Sequence, residues 1–137
     1  MLTYNNILTA KEYCYLREAV GWVAIQEDQA QSGLDHTNFI ITCRDGERAV
    51  ASARILWDYG YIAYLADVMV LPEYQGQGIG KKMVQACMNY IDENLKEGWR
   101  VKIILLAAKG KDDFYKKFGY EIRPNENDGP GMQIWRE

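Results

Sequence analysis

The stretch that decides the fold reads Asp67-Val68-Met69-Val70-Leu71-Pro72-Glu73-Tyr74-Gln75-Gly76-Gln77-Gly78-Ile79-Gly80-Lys81-Lys82. It begins as an apolar run, meets a proline, alternates glycine with other residues, and then starts a long amphipathic segment. This order predicts a strand, a glycine loop and a helix.

The glycine loop predicts an anion-binding turn. A helix N-terminus presents unpaired N–H groups and the positive end of the helix dipole, and both favour a phosphate. Glycine at positions 76, 78 and 80 would let a bulky anion approach the backbone without meeting a Cβ atom. The same glycines also fit a plain strand-to-helix turn, so the glycines alone leave both interpretations open.

Two better-known phosphate loops do not match this stretch. A Walker loop requires a glycine five residues before the Gly80-Lys81 pair and a hydroxyl after it, where this chain has Gln75 and Lys82. A dinucleotide-binding fingerprint also fails, because Lys81 and Met83 stand where its last glycine is required. The pattern that remains is Gln, two residues, Gly, one residue, Gly over residues 75–80.

This remaining pattern resembles the acetyl-CoA pyrophosphate loop of the GCN5-related N-acetyltransferases, which reads Gln or Arg, two residues, Gly, one residue, Gly or Ala. The preceding segment Val68–Tyr74 is similar to the family's fourth strand and its exit. A second segment, Asp112–Tyr120, resembles the family's Phe-Tyr-x-Lys-x-Gly-Phe motif through Phe114 and Tyr115. The two motifs occur in the family's order and at its expected separation.

The whole chain predicts one mixed α/β domain over residues 1–137, with a mixed, mostly antiparallel sheet flanked by helices. A capping box at Thr9-x-x-Glu12 predicts a helix that Gly21 ends, and a short polar helix or loop follows from Gln26 to Gly33. The remaining predicted helices are Ile79–Leu95, stopped by Gly98, and Asp112–Phe118. The predicted strands are Asn38–Cys43, Ala49–Trp57, Tyr61–Leu71, a fully buried parallel Val101–Leu106, Tyr120–Ile122 and Met132–Trp135.

Composition narrows the classes of function. A formal net charge of -3 argues against a nucleic-acid partner, which a basic face would attract. The absence of an apolar run near 18 residues argues against a membrane span. The three cysteines, Cys14, Cys43 and Cys87, are scattered and odd in number, which predicts small core residues rather than disulfides or a metal site. The N-terminal residues also lack a secretory signal pattern, so a cytoplasmic protein is expected.

The resemblance implies acetyl-CoA as the co-substrate, held largely by main-chain groups. The loop would bind its pyrophosphate, and the strand before the loop would pair with its pantetheine arm as if that arm were another strand. The amide near Met69 is then a candidate oxyanion donor. The implied donor-binding residues are Val68, Met69, Val70, Gln75, Gly76, Gln77, Gly78, Ile79, Gly80 and Lys81.

The same resemblance implies Tyr115 as the general acid that protonates the departing thiolate, although a tyrosine there also fits a core position. Asp67 is the candidate general base, and a strand-end aspartate also fits a purely structural hydrogen bond. His36 is the only histidine and is expected to be solvated. If the amine loses its proton through water, no dedicated base is required. Ala108 departs from the family, whose members often carry Asn there to contact pantetheine.

The acceptor site is expected to involve Trp22, Glu27, Asp28 and Tyr64. The two carboxylates could attract an ammonium group, and Trp22, Trp57, Tyr59, Tyr61 and Tyr64 could form an aromatic cage or ordinary core packing. Leu16–Trp22 is similar to a segment of small acetyltransferases that include some acting on arylalkylamines.

The resemblance therefore implies direct acetyl transfer to a primary amine of the small-amine, arylalkylamine or polyamine type, without a metal. Two alternatives stay open: an enzyme that acetylates protein N-termini or lysines, and a non-catalytic acyl-CoA sensor. The resemblance also allows a homodimer.

Overall fold

The computed structural model describes all 137 residues and divides them into two compact units, Met1–Ile104 and Leu105–Glu137. The single domain expected over residues 1–137 stays a prediction. The larger unit contains β1 Leu2–Asn5, α1 Ala10–Ala19, α2 Glu27–Asp35, β2 Phe39–Asp45, β3 Arg48–Trp57, β4 Ile62–Val70, a 3₁₀ turn Pro72–Tyr74, α3 Ile79–Asn94 and β5 Lys102–Ile104. The smaller unit contains α4, Asp112–Lys116.

The five strands of the larger unit form one sheet in the order β1-β2-β3-β4-β5. Strands β1 to β4 pair with one another in antiparallel fashion. Strand β5 runs parallel to β4 and pairs with its residues Ile62–Tyr64. A parallel pair requires a crossover connection, and α3 supplies it between β4 and β5. The predicted mixed, mostly antiparallel sheet flanked by helices is confirmed.

The first helix begins at the predicted capping box. The Thr9 hydroxyl accepts a hydrogen bond from the Glu12 amide at 3.1 Å, and the Glu12 carboxylate accepts one from the Thr9 amide at 3.0 Å. These two contacts satisfy amides that the start of a helix otherwise leaves unpaired. The helix ends at Ala19, just before Gly21 at φ +86°, close to its predicted end. The second helix extends to Asp35, two residues beyond its predicted end.

Helix α3 provides much of the hydrophobic core. It packs on β2, β3 and β4. The apolar positions that recur at intervals of three and four are buried along it, as the sequence periodicity predicted. Each such side chain contributes roughly 1.5–3 kcal/mol by leaving water. The buried residues of α3 are Ile79, Met83, Val84, Cys87 and Ile91.

Two strand predictions were wrong, a third was correct in its parallel pairing but wrong in its length and burial, and β1 was not predicted. The fully buried strand expected at Val101–Leu106 is the three-residue β5, whose Lys102 and Ile104 are exposed because β5 is the edge strand of the sheet. The segments Tyr120–Ile122 and Met132–Trp135 form no strand. Met132 and Ile134 are 91% and 77% exposed, so no burial offsets the entropy of ordering an extended segment there.

Two of the three cysteines occupy the core positions predicted for them, whereas Cys14 is only half-buried, so its core prediction was wrong. Cys43 and Cys87 are buried and free, and burial raises the pKa of the Cys87 thiol to about 12, so it stays protonated at neutral pH. No three side chains of the His, Cys, Asp or Glu type are grouped so that they could hold a metal ion. None of the helices has the length and apolar character needed to cross a bilayer.

Candidate functional site

The glycine loop between β4 and α3 adopts a conformation that glycine favours. Gly76 and Gly78 both have φ +81°, in the left-handed region where a Cβ atom is strained. A Cβ atom added at either position would meet no atom within 4 Å, so open space lies beside the loop. Glycine is therefore required here by backbone conformation rather than by crowding within the chain.

The start of α3 has unpaired main-chain donors. Gly78 is the N-cap residue and offers no side chain to cap the helix. The first amide to donate along the helix is that of Lys82, which bonds the Gly78 carbonyl at 3.1 Å. The amides of Ile79, Gly80 and Lys81 precede it and have no hydrogen-bond partner in the chain. Three adjacent N–H groups at the positive end of a helix dipole form an anion-binding site.

The Gln75 side chain stabilises the loop itself. Its amide nitrogen donates to the carbonyl of Val70 at 3.0 Å, across the turn that follows β4. A second contact holds the 3₁₀ turn. The Tyr74 hydroxyl donates a short hydrogen bond to the Asp45 carboxylate at the end of β2. This bond lowers the pKa of Asp45 and raises that of Tyr74. Sequence reasoning missed the pair because its members lie in separate elements.

Strand β4 contains a bulge in front of the loop. Ser52 of β3 pairs with Met69, but Arg54 pairs with Ala66, so β4 has one residue more than β3 in this interval. Asp67 takes a left-handed φ of +54° at the bulge, which aspartate tolerates better than most residues.

The bulge precedes a stretch of β4 with a free edge. Parallel pairing with β5 ends at Tyr64. The Leu71 amide donates to the Val50 carbonyl of β3 at 2.9 Å. Because amide directions alternate along a strand, the Met69 amide also points toward β3, whereas those of Val68 and Val70 point toward the opposite edge. That edge can pair with an extended ligand, and the neighbours of Met69 supply its donors.

The Asp67 carboxylate joins α1 to the sheet. Its Oδ2 accepts hydrogen bonds from the Tyr13 hydroxyl at 2.6 Å and from Arg54 Nε at 2.7 Å. Its Oδ1 lies 3.8 Å from Arg17 Nη1. Arg54 also donates to the Thr37 hydroxyl at 2.9 Å, beyond the end of α2. One oxygen of Asp67 is thus occupied structurally, and Oδ1 is the oxygen that a substrate can use.

We call the set Tyr13, Arg17, Arg54 and Asp67 the arginine cluster. Its charged side chains are only 12–17% exposed. Sequence reasoning identified Asp67 alone. A signal for Arg54 was present, because it is the one charged residue inside the otherwise apolar and small-residue run of β3 after Arg48. Arg17 had a weaker signal, since it follows Tyr13 by one helical turn and therefore shares its face.

Two predicted acceptor residues lie at the arginine cluster. The guanidinium carbon of Arg17 lies 5.7 Å from the centre of the Trp22 ring. The pKa of Tyr64 is raised by burial and by the nearby charge of Asp67. Glu27 and Asp28 instead lie exposed in the first turn of α2, and no contact joins them to Asp67.

The remaining aromatic residues do not complete a cage with Trp22. Trp57 packs against Tyr59, with ring centres 4.9 Å apart, and the Tyr59 hydroxyl hydrogen-bonds that of Tyr90 at 2.6 Å. No ring contact joins this group to Trp22 or Tyr64. The His36 ring Nδ1 lies 2.8 Å from the Ser32 carbonyl, where it caps the end of α2. These residues are therefore engaged in structural contacts.

In the smaller unit, the Phe-Tyr segment forms an aromatic cluster. Tyr115 in α4 is buried at 9% exposure, and its ring makes edge-to-face contacts with Phe114 and Tyr120 at 5.0 and 6.1 Å. Phe118 contacts Phe114 in the same way at 5.5 Å. Aromatic packing holds the Tyr115 ring in a defined orientation.

Comparison with known proteins gives a consistent result. The sequence profile of the acetyltransferase (GNAT) domain matches residues 35–122. An N-acetyltransferase of uncharacterised function, ycf52 of Porphyra purpurea, is 28% identical over 134 residues, which are 95% of this chain and 71% of that protein. A crystal structure from meticillin-resistant Staphylococcus aureus, of a protein of unknown function named a probable acetyltransferase, is 32% identical with a TM-score of 0.89. That comparison covers 99% of this chain and 100% of the other. A GNAT-family acetyltransferase from Streptococcus pneumoniae is 26% identical with a TM-score of 0.77, over 100% and 98% of the two chains.

Proposed function

Because this chain belongs to the GCN5-related N-acetyltransferase (GNAT) family, whose members use acetyl-CoA, we propose that it transfers an acetyl group from acetyl-CoA directly to the primary amine of a small acceptor. The family establishes an acetyltransferase. The observation that carries the proposal is the left-handed glycine cap at Gly78, which leaves three amides at the start of α3 unpaired.

The loop fits the pyrophosphate of acetyl-CoA. The amides of Ile79, Gly80 and Lys81 supply donors, and the space beside Gly76 and Gly78 is free of chain atoms. Main-chain donors at a helix N-terminus bind phosphate oxygens without requiring a basic side chain. Under this proposal Gln75 acts indirectly, by holding the turn through its bond to the Val70 carbonyl.

The free edge of β4 fits the pantetheine arm. The outward amides of Val68 and Val70 pair with an extended chain as a neighbouring strand would. Under the proposal, one of these amides replaces the amide of Met69 as the oxyanion donor. Because main-chain groups make these contacts, apolar substitutions of Val68 and Val70 should have little effect on acetyl-CoA binding.

Acetyl-CoA supplies an activated thioester, and the chain has to orient it, stabilise negative charge and provide a proton. We assign the proton to Tyr115, because a phenol with an ordinary pKa of about 10 stays protonated at neutral pH. Its position in the Phe-Tyr motif and the fixed orientation of its ring support this role. For Asp67 we assign the proton-accepting or amine-binding role to Oδ1 alone, since Oδ2 is occupied.

A small acceptor is favoured over a protein tail by the burial of the arginine cluster. Its charged side chains are 12–17% exposed, as in an enclosed site, whereas a protein segment would need an open groove. Trp22 and Tyr64 add aromatic surface to the same side of the sheet. A cytoplasmic location and a homodimer remain expectations.

The first test measures acetyl-CoA binding by isothermal titration calorimetry and CoA release across a panel of small amines. Tight binding with turnover supports the enzyme, and binding without turnover on any amine or on lysine-containing peptides would favour a sensor.

Tyr115→Phe should preserve the Kd for acetyl-CoA and lower kcat by about 100-fold, since general acid catalysis contributes that much. The matched control is Tyr61→Phe, a loss of one hydroxyl from a side chain that is 66% exposed. Wild-type kcat in the Tyr115 variant would remove the acid assignment.

A further inference from the structure

One guanidinium of the arginine cluster has fewer partners than it has donors. Arg17 Nε and Nη2 both donate to the Val23 carbonyl, at 3.2 and 2.8 Å, and so use one edge of the group. Its Nη1 lies 3.8 Å from Asp67 Oδ1, which is too far for a hydrogen bond. The end of the guanidinium, formed by Nη1 and the second N–H of Nη2, therefore has no hydrogen-bond partner in the chain.

That end of Arg17 is accessible although the side chain is mostly covered. The side chain is 12% exposed. The one fully buried side-chain polar atom without a hydrogen-bond partner is Thr42 Oγ1, so the unpaired Nη1 of Arg17 keeps part of its surface exposed. A ligand oxygen can thus approach the free end of the guanidinium.

The arginine cluster also carries excess positive charge. Arg17 and Arg54 contribute two positive charges, and Asp67 contributes one negative charge. Their other hydrogen-bond partners are neutral: the hydroxyls of Tyr13 and Thr37 and main-chain carbonyls. One positive charge is therefore unbalanced within the cluster, at a depth where an unpaired charge is costly.

Aromatic rings hold the Arg17 guanidinium in place. The rings of Tyr13 and Trp22 have their centres 5.8 and 5.7 Å from its central carbon. A planar guanidinium held in this way loses little freedom when it binds, and its two parallel N–H groups match the two oxygens of a carboxylate.

We infer that the acceptor is an amino acid, whose carboxylate binds the free end of Arg17 and whose amine lies at Asp67 Oδ1. This inference rests on the proposed transfer to a small amine. The two groups of the protein are 3.8 Å apart, a distance that suits a carboxylate and an amine on the same small molecule. One unbalanced positive charge suits one carboxylate rather than a phosphate dianion.

The test compares acceptors that differ only in the negative charge of their carboxylate. CoA release is measured for glycine, leucine and phenylalanine and for the corresponding amino acid amides, with rates corrected for the fraction of free amine. A charge-assisted bidentate contact should make kcat/KM at least about ten-fold higher for the acid of at least one pair. Arg17→Met should remove this preference. Lys11→Gln, a charge loss at an exposed position of the same helix, should retain it.

Binding supplies a second measurement that does not depend on turnover and that starts from the wild-type protein. N-acetyl amino acids should stabilise the wild-type protein against heat, in the presence of CoA, more than N-acetyl amino acid amides do. Equal effects of acid and amide, or a preference that survives in Arg17→Met, would overturn the inference. Turnover of neutral amines without an acid preference would overturn it while leaving the proposed function intact. If acetyl-CoA binds but no amine reacts, the proposed function fails and the inference fails with it.

Discussion

The two recognition regions of the larger unit use different chemical groups. The loop at the start of α3 presents main-chain amides, and its side chains contribute no hydrogen bond to the helix cap. The arginine cluster presents side chains from α1, β3 and β4. A main-chain site needs only a few glycines close together in the sequence, whereas a side-chain site draws on residues far apart. The proposed donor site is therefore recognisable as a motif, and the proposed acceptor site is visible only in the fold.

Gly78→Val tests the loop and should give the largest effect of the substitutions compared. Valine is strained at φ +81°, and its side chain would enter the open space beside the unpaired amides. The Kd for acetyl-CoA, measured by calorimetry, should rise on the order of 100-fold. Gly98→Val is the matched control, because Gly98 has φ +83° and equal open space outside the loop. Unchanged affinity for Gly78→Val, or an equal loss in the control, would contradict the loop assignment.

Asp67→Asn tests the side-chain region. The change leaves the guanidiniums of Arg17 and Arg54 without their counter-ion, so the free energy of unfolding should fall by about 2 kcal/mol. Urea denaturation measures this, and the Kd for acetyl-CoA should stay the same. Arg54→Met is the comparison for catalysis. A larger fall of kcat in Asp67→Asn than in an equally destabilised Arg54→Met would indicate a direct role for Oδ1, and equal falls would indicate a positioning role only.

Glu12→Gln should give the smallest effect, because Glu12 lies neither in the glycine loop nor in the arginine cluster. The hydrogen bond from Arg44 holds the pKa of Glu12 below its ordinary value of 4.5, and the capping bond to Thr9 adds to this. A lowered pKa in the folded state stabilises the protein above the unfolded-state pKa, and this stabilisation is lost as pH falls through the folded-state value.

At neutral pH the Glu12→Gln variant should lose about 1 kcal/mol of stability. The difference from wild type should shrink on acidification below about pH 4.5. Thermal melting across pH 3–7 measures both. A constant difference in stability between wild type and Glu12→Gln over that range would contradict the assigned pKa direction. The affinity of the variant for acetyl-CoA should not change at neutral pH.

Local signals predicted most of the larger unit. The capping box at Thr9 and the apolar periodicity of α3 each act within a few residues, and each corresponds to an observed helix. The failures occurred where tertiary context decides. Met132–Trp135 has strand-forming residues but no partner strand, and the short β1 becomes ordered only by pairing with β2.

The candidate site divides in the same way. Gly78 was identified from a six-residue pattern, and it lies at the N-cap of α3 with a left-handed backbone, while its anion-binding role stays a prediction. Asp67 was identified by its position before the strand's Val-x-Val, but its two arginine partners were missed. Their contacts join residues that are 13 and 50 positions away along the chain, and no short pattern spans such distances. The two arginines also set the net charge of the proposed acceptor site, so that charge could not be predicted from the sequence.

The hydrogen bond from Tyr74 to Asp45 bears on transplantation of the loop into another scaffold. The segment 67–82 looks self-contained as a motif, yet the turn before its glycines is held by a carboxylate at the end of β2. Gln75 is held within the segment, through the Val70 carbonyl. A graft of residues 67–82 alone would thus carry the helix cap and lose the external anchor. A portable version of this loop has to include the β2–β3 hairpin.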